Sequence, residues 1–287
     1  MRKLSDSFMA ALKSGFLASV TQTVIADSNL NLEIRNNYLN VYFKGNSLLK
    51  LTETSPVRYK VEIDKKYSTG LALPAHLVDA QTTSRFVQAI PQLKQNIIQH
   101  SKGSLEIEYE QMIIRANNFE PRNNSEYFIV DRQYAVGIGR FDLTGIFWDR
   151  KHRRRGQEVP LCFMEVKFAL NQDISDVHRQ LQRYYDFIEA KSDAIAMEAE
   201  SVFRQKLELG LYKHQAPGRL GAMKTLKFSC DLARYQFILV LVDYNPNSKK
   251  YDLAKLKALP FAHQIRVFKS GFAMWEQNVK PISGSQP

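Results

Sequence analysis

The chain has 287 residues, a net charge of +11 and an isoelectric point of about 9.5, enough material for one large core or two modest ones. Its 44% hydrophobic and 24% charged residues are ordinary for a soluble globular protein, and the positive excess favours a polyanionic partner, nucleic acid or an anionic membrane. The two cysteines, far apart at Cys162 and Cys230, exclude a disulfide framework and fit a reducing, cytoplasmic setting. Six scattered histidines show no zinc spacing, and no run reaches the roughly 18 uninterrupted apolar residues of a membrane span.

In chain order, Leu4, Phe8, Leu12, Phe16 and Val20 stand at helical spacing, and the stretch from Phe8 to Ala26 reads as an amphipathic helix running into a strand. A β-rich block follows. Residues 31–35 and 38–43 alternate around Asn36-Asn37, Gly45-Asn46 makes the next turn, and residues 47–51 and 57–63 continue an antiparallel meander. Residues 70–83 form a connection and the boundary between an N-terminal region, 1–83, and a second domain, 84–279. Arg85 to His100 reads as a helix interrupted at Pro91, and residues 104–118 as a further helix decorated by Glu106, Glu108 and Glu110.

Glu126 to Ala135 reads as a strand, Gly137-Ile-Gly139 as a turn, and residues 139–149 as the hairpin partner. The basic connection Arg150-Lys-His-Arg-Arg-Arg-Gly156 leads to a strand from Pro160 to Phe168. A periodic helix carries Ile174, Val177, Leu181, Tyr184 and Ile188, and helical pieces continue to about Tyr212. Residues 213–224 read as a loop because of Pro217, Gly218 and Gly221. The near-continuous apolar run 235–243 suits a central strand covered on both faces. Residues 252–259 read as a short helix, 264–275 as a last strand pair and 280–287 as a disordered tail.

The chemistry gathers on two of these strands. Asp142 lies in Gly139-Arg-Phe-Asp-Leu-Thr-Gly-Ile-Phe-Trp148, and Glu165 and Lys167 lie in Pro160-Leu-Cys-Phe-Met-Glu-Val-Lys-Phe168. Alternation puts Glu165 and Lys167 on one face with Val166 opposite. Charges in strands this apolar are costly unless paired or bound to a metal. Acid-x-Lys also occurs at Asp64, Asp149 and Glu189. Asp64 ends an edge-like strand, Asp149 is in a polar turn, and Glu189 is in a helix, where positions two apart do not face each other. Phosphate-loop, nucleophile-elbow, zinc-helix and EF-hand motifs are absent from the sequence.

From Ser104 the order helix, strand, strand, strand, helix, strand, with Asp142, Glu165 and Lys167 so placed, resembles the PD-(D/E)XK nuclease superfamily over residues 104–245. The resemblance implies an α/β fold: a restriction-endonuclease-like αβββαβ core, here with an N-terminal β-rich accessory region. It also implies Mg²⁺, replaceable by Mn²⁺, on Asp142, Glu165 and the Val166 carbonyl, with Lys167 orienting or deprotonating the attacking water. Many members add a helix glutamate; Glu108 and Glu110 are the candidates, with Glu126 behind them. Gln180 and Tyr184 match a Q-x-x-x-Y element of some branches, although His178 and Gln182 have equal spacing. Lys151, Arg153, Arg154 and Arg155 in the basic loop, with Arg140, Tyr184 and His178, are the expected DNA contacts. The expectation is a Mg²⁺-dependent deoxyribonuclease in defence or repair, free of the membrane and able to form a homodimer. A nuclease-derived binding module without activity, or an RNase, is the alternative.

Overall fold

The computed structural model describes residues 2–101, 105–136, 139–149, 158–169, 172–277 and 279. Ser5 caps α1 (Asp6–Lys13) by accepting the Phe8 N–H at 3.1 Å. The segment expected to become a strand is instead a second helix, α2 (Ala18–Ala26). Its β-branched residues favour strands locally, but Val20, Thr21 and Val24 are buried together along one side, and that packing outweighs propensity. Gly15 permits the turn between the helices: a Cβ there would lie 2.8 Å from the Ala11 Cα.

An antiparallel meander follows: β1 (Leu30–Ile34), β2 (Tyr38–Phe43), β3 (Asn46–Ser55), β4 (Arg58–Glu62) and the short β5 (His76–Leu77), in that spatial order. The β2–β3 turn is Lys44-Gly45, one residue earlier than expected, with φ of 47° and 75°. Positive φ at both central residues gives the hairpin the twist its strands need. Between β4 and β5 lies the single turn α3 (Lys65–Ser68).

Helix α4 (Ala80–His100) begins on a capping box between Asp79 and Thr82. Pro91 does not interrupt it. The ring is exposed, and Phe86, Ile90, Leu93 and Ile97 keep one buried stripe across the missing hydrogen bond. This helix packs on α2, α3, β3 and β5, so the boundary expected at residue 83 falls inside its first turn.

Helix α5 (Leu105–Ile114) runs on through a π-helical turn to Phe119. A second sheet has the order β10-β9-β8-β7-β6, built from β6 (Tyr127–Val136), β7 (Gly139–Phe147), β8 (Leu161–Phe168), β9 (Gln236–Val242) and β10 (Ile265–Ser270). Strands β6, β7 and β8 are antiparallel, whereas β8, β9 and β10 are parallel. Between β8 and β9 come α6 (Val177–Glu189), α7 (Ser192–Glu208) and α8 (Pro217–Thr225). The last was expected as a loop. Pro217 takes the first helical position, where a missing N–H costs nothing, and Met223 is buried. After the short α9 (Leu253–Lys257), residues 265–270 add a single strand beside β9 rather than a strand pair.

The chain is therefore α/β, with two sheets flanked by helices. One face of the second sheet packs Leu143, Met164, Val166 and Val240 with Ile114 of α5. The other face joins a larger cluster that runs from Leu4 and Tyr59 through Phe128, Phe163 and Tyr184 to Phe261. That cluster spans both sheets. Buried charges fasten the same junction: Asp131 on β6 pairs with Arg2 and Arg35, and the Lys206 ammonium lies 2.6 Å from Glu33. The tail 280–287 lies outside the described residues. Among the described residues no single helix is long and apolar enough to cross a membrane.

Candidate active site

The site forms where one ladder stops and its neighbour skips a step. Strands β7 and β8 pair from Ile146–Leu161 to Leu143–Met164, and the next step would set Asp142 opposite Glu165. Instead the Asp142 Oδ2 accepts the Val166 N–H at 2.8 Å. On the other side, β6 pairs Arg132 with Leu143 and Tyr134 with Phe141 but skips Gln133 and Asp142. Gln133 has φ of 54°, a left-handed conformation that breaks the pleat and re-aims nearby side chains. Phe141 and Leu143, two residues apart, consequently enter different apolar clusters.

Glu165 and Lys167 project from β8 on one side, as alternation requires, and only 3% and 5% of their surfaces are exposed. The Lys167 Nζ is 2.6 Å from Glu165 Oε1. The Gln180 amide donates to that same oxygen at 2.7 Å and to the Tyr184 hydroxyl at 2.8 Å. Tyr184 in turn donates to the Arg140 carbonyl at 2.6 Å, and its ring packs 4.3 Å from Phe141. Core packing and a polar role thus coexist in one side chain. Gln182 bonds Asp186 on the exposed side of α6, so Gln180 and Tyr184 make the register that reaches the acids. His178 is half-buried on α6 and is not among the residues lining the recess. Glu165 Oε2 is buried with no hydrogen-bond partner among the described residues.

Helix α5 brings two glutamates to this end of the sheet, and one is not the residue expected. Glu110 is buried, and its Oε2 accepts Arg132 Nε at 2.7 Å and the Gln133 amide at 3.2 Å. Glu108 pairs instead with Lys44 at 2.9 Å, because residues two apart on a helix point in nearly opposite directions. Glu106, four residues before Glu110 on the same face, lines the recess with Asp142, Glu165 and Lys167. Glu126 is exposed beside the opposite end of the β6–β7 hairpin, where its carbonyl accepts the Trp148 N–H.

Glu106, Asp142, Glu165 and Lys167 share one open recess of about 440 Å³, lined also by Gly139, Arg140, Gln180, Arg183 and Tyr184. Burial, then the charges of Glu165 and Glu110, push the Asp142 carboxyl well above the usual carboxylate range, against the Val166 N–H and Lys167. Burial likewise outweighs the Lys167 ion pair at Glu165, which also titrates high, with Glu106 adding to the effect. Burial acts to lower Lys167, but Glu165 and then Asp142 overcome it, and the ammonium is held above its ordinary value. Tyr184 is raised, chiefly by burial and by Glu165.

Two buried acids that resist ionisation are suited to a divalent cation, which would supply the charge that solvent does not. The donors are hard oxygens. Besides the carboxylates, the Val166 carbonyl points toward β7, since N–H and C=O of one strand residue face the same way. Among the described residues no three His, Cys, Asp or Glu side chains gather closely enough to enclose a metal ion. Asp142, Glu165 and the Val166 carbonyl are the oxygens that could serve, and so small a set would suit a cation that keeps several waters.

The basic residues Lys151, Arg153, Arg154 and Arg155 lie outside the described residues. Arg140 is exposed at the rim. The rim also holds Arg183, which sequence reasoning missed although it stands three positions after Gln180 and so on a neighbouring part of the helix surface. No protein-family model, curated protein or solved structure matches the chain.

Proposed function

We propose that the chain is a metal-dependent nuclease that hydrolyses DNA phosphodiester bonds on a core of PD-(D/E)XK type. Supporting this, α5, β6, β7, β8, α6 and β9 follow one another in the order such a core requires once α7 and α8 are taken as insertions. The observation that carries the reading is the convergence of Asp142, Glu165 and Lys167 on one recess, at the point where the β7–β8 ladder ends.

Asp142, Glu165 and the Val166 carbonyl would hold Mg²⁺ or Mn²⁺; when bound, the cation lowers the pKa of a water and polarises the phosphate. Glu165 is kept in place through Oε1 by Lys167 and Gln180, which leaves Oε2 for the ligand. Lys167 remains an ammonium in this surrounding, so its role is to orient the attacking water and to offset charge that develops on the phosphoryl oxygens. Water oxygen bonds to phosphorus, the bond to the leaving oxygen breaks, and a proton passes to that oxygen. Arg140 and Arg183 stand at the rim, where the flanking backbone would enter.

The test is incubation of the purified protein with Mg²⁺ or Mn²⁺ and plasmid or linear DNA, with RNA as a parallel substrate. Cleavage abolished by Asp142→Ala and by Lys167→Ala is expected. Absence of cleavage, or cleavage that survives either substitution, overturns the reading; cleavage of RNA alone moves the substrate class.

A further inference from the structure

The recess holding the acids continues past Lys167. A second open recess of about 430 Å³ is lined by Lys167, Asp176, Arg179, Gln180 and Arg183. Lys167, Gln180 and Arg183 border both recesses, so the two form one path along α6. Their charges differ. Around the first, Glu106, Asp142 and Glu165 oppose Arg140, Lys167 and Arg183. Around the second, three cations face the single acid Asp176. Its contact with Arg179 is 3.7 Å long between side chains 72% and 66% exposed, and such a pair holds little.

Arg179 and Arg183 are one helical turn apart, about 6 Å along the axis at 1.5 Å per residue, and both are exposed. A guanidinium presents a planar fork that matches a phosphate. Every residue of the second recess is polar or charged and none is aromatic, so it lacks the aromatic platform on which successive bases stack. Such a surface takes a sugar–phosphate backbone and is indifferent to sequence.

We propose that α6 carries the DNA strand on one side of the cleavage point. Arg183 takes the phosphate next to the scissile one, and Arg179 takes the phosphate beyond it. The substrate is therefore a polynucleotide held by successive phosphates, and not a mononucleotide or a lone terminal phosphate. The inference rests on the nuclease reading for the position of the scissile phosphate, and it does not need the basic loop at 150–155.

The test uses the intact 287-residue chain carrying Asp142→Asn, in EDTA, with anisotropy of a fluorescein-labelled DNA oligonucleotide measured across a salt series. Adding Arg179→Ala and Arg183→Ala is expected to weaken binding on the order of tenfold and to reduce the slope of log K against log salt by about 2, one for each phosphate that the variant leaves unneutralised. Lys65→Ala with Lys66→Ala, an equal change of net charge on α3, which lines neither recess, is the control and should leave the slope as it was. An unchanged slope in the arginine variant, or equal losses from both pairs, overturns the inference. Both arginines are exposed, so the fold is not at stake, and matching melting temperatures verify this. Binding is read without cleavage, which keeps the outcomes apart. Wild-type protein inert toward every phosphodiester sinks the nuclease reading, whereas cleavage with an unaltered salt slope sinks this inference alone.

Discussion

Asp142 and Glu165 are carboxylates that solvent scarcely reaches, and burial holds the protons of both above the ordinary range. Unfolding returns them to values of about 4. Their contribution to stability is thus fully present below about pH 4 and is lost as pH rises through the raised folded values. In metal-free buffer, Asp142→Asn should therefore raise the melting temperature at pH 8. The gain should shrink toward pH 4; calorimetry showing equal shifts at both pH values would contradict it. Cleavage should fall as pH drops through the same raised values, so its acid limb lies above that of an ordinary carboxylate. Saturating Mg²⁺ should move the limb down, because cation and proton compete for the same oxygens. Gln180 touches Glu165 but no reacting atom in this arrangement, so it is a positioning residue. Gln180→Ala should weaken metal affinity by about 10–100-fold, read by titration with Mn²⁺, and Gln180→Glu should not restore it.

At the scale of elements, the β2–β3 hairpin and α5 are locked together behind the site. Arg132, fully buried, donates from Nε to Glu110 at 2.7 Å and from its two terminal nitrogens to the Gly45 and Ile107 carbonyls, each at 3.1 Å. Removing one partner of a buried pair leaves the other charge uncompensated, at a cost of about 3–5 kcal/mol. Arg132→Met should lose that much in urea denaturation, and Glu110→Gln added to it should recover part of the loss; no recovery would mean that the pair is not what stabilises the junction. Gly45 has φ of +75°, and a Cβ there would fall 2.4 Å from the Ile107 carbonyl oxygen. Gly45→Ala should therefore cost at least the roughly 1–2 kcal/mol of a left-handed alanine. The same helix shows where sequence reasoning stopped. The pattern of Glu106, Glu108 and Glu110 establishes that the acids divide between two faces of α5, but it does not say which face meets the sheet. Docking of Lys44 on Glu108 and of Arg132 on Glu110 decides it.

For the whole molecule, one continuous cluster from Leu4 to Phe261 takes in residues of both sheets. Asp131 lies within the second sheet's β6, yet its cations Arg2 and Arg35 come from the N-terminal region. Burial acts to raise Asp131, but Arg35 and Arg2 override it and hold the carboxyl far below the usual range. Stability from this group is present above ordinary carboxylate values and is lost as pH falls through the folded value. A fragment beginning at residue 105 would leave Asp131 without these partners and expose the side of the second sheet's cluster that the N-terminal residues complete. Such a fragment should show no cooperative thermal transition, and a melt like that of the intact chain would prove the second sheet autonomous.

What the sequence determined by itself is whatever depends on neighbours a few residues apart. Strand alternation puts Glu165 and Lys167 on one side, the apolar runs mark β7, β8 and β9 as interior strands, and Asn36-Asn37 marks its turn. Helical spacing pairs Gln180 with Tyr184, though it allows His178 with Gln182 equally. Tertiary structure decided what depends on which surface faces a core. It made residues 18–26 a helix, carried α4 through Pro91, started α8 at Pro217, turned Glu106 rather than Glu108 toward the acids, and at Asp142 ended the β7–β8 ladder and interrupted the β6–β7 one. Local preferences in these places differ by about 1 kcal/mol, or about 3 kcal/mol at Pro91, which is less than burial of a few apolar side chains supplies, and burial is a property of the assembled chain.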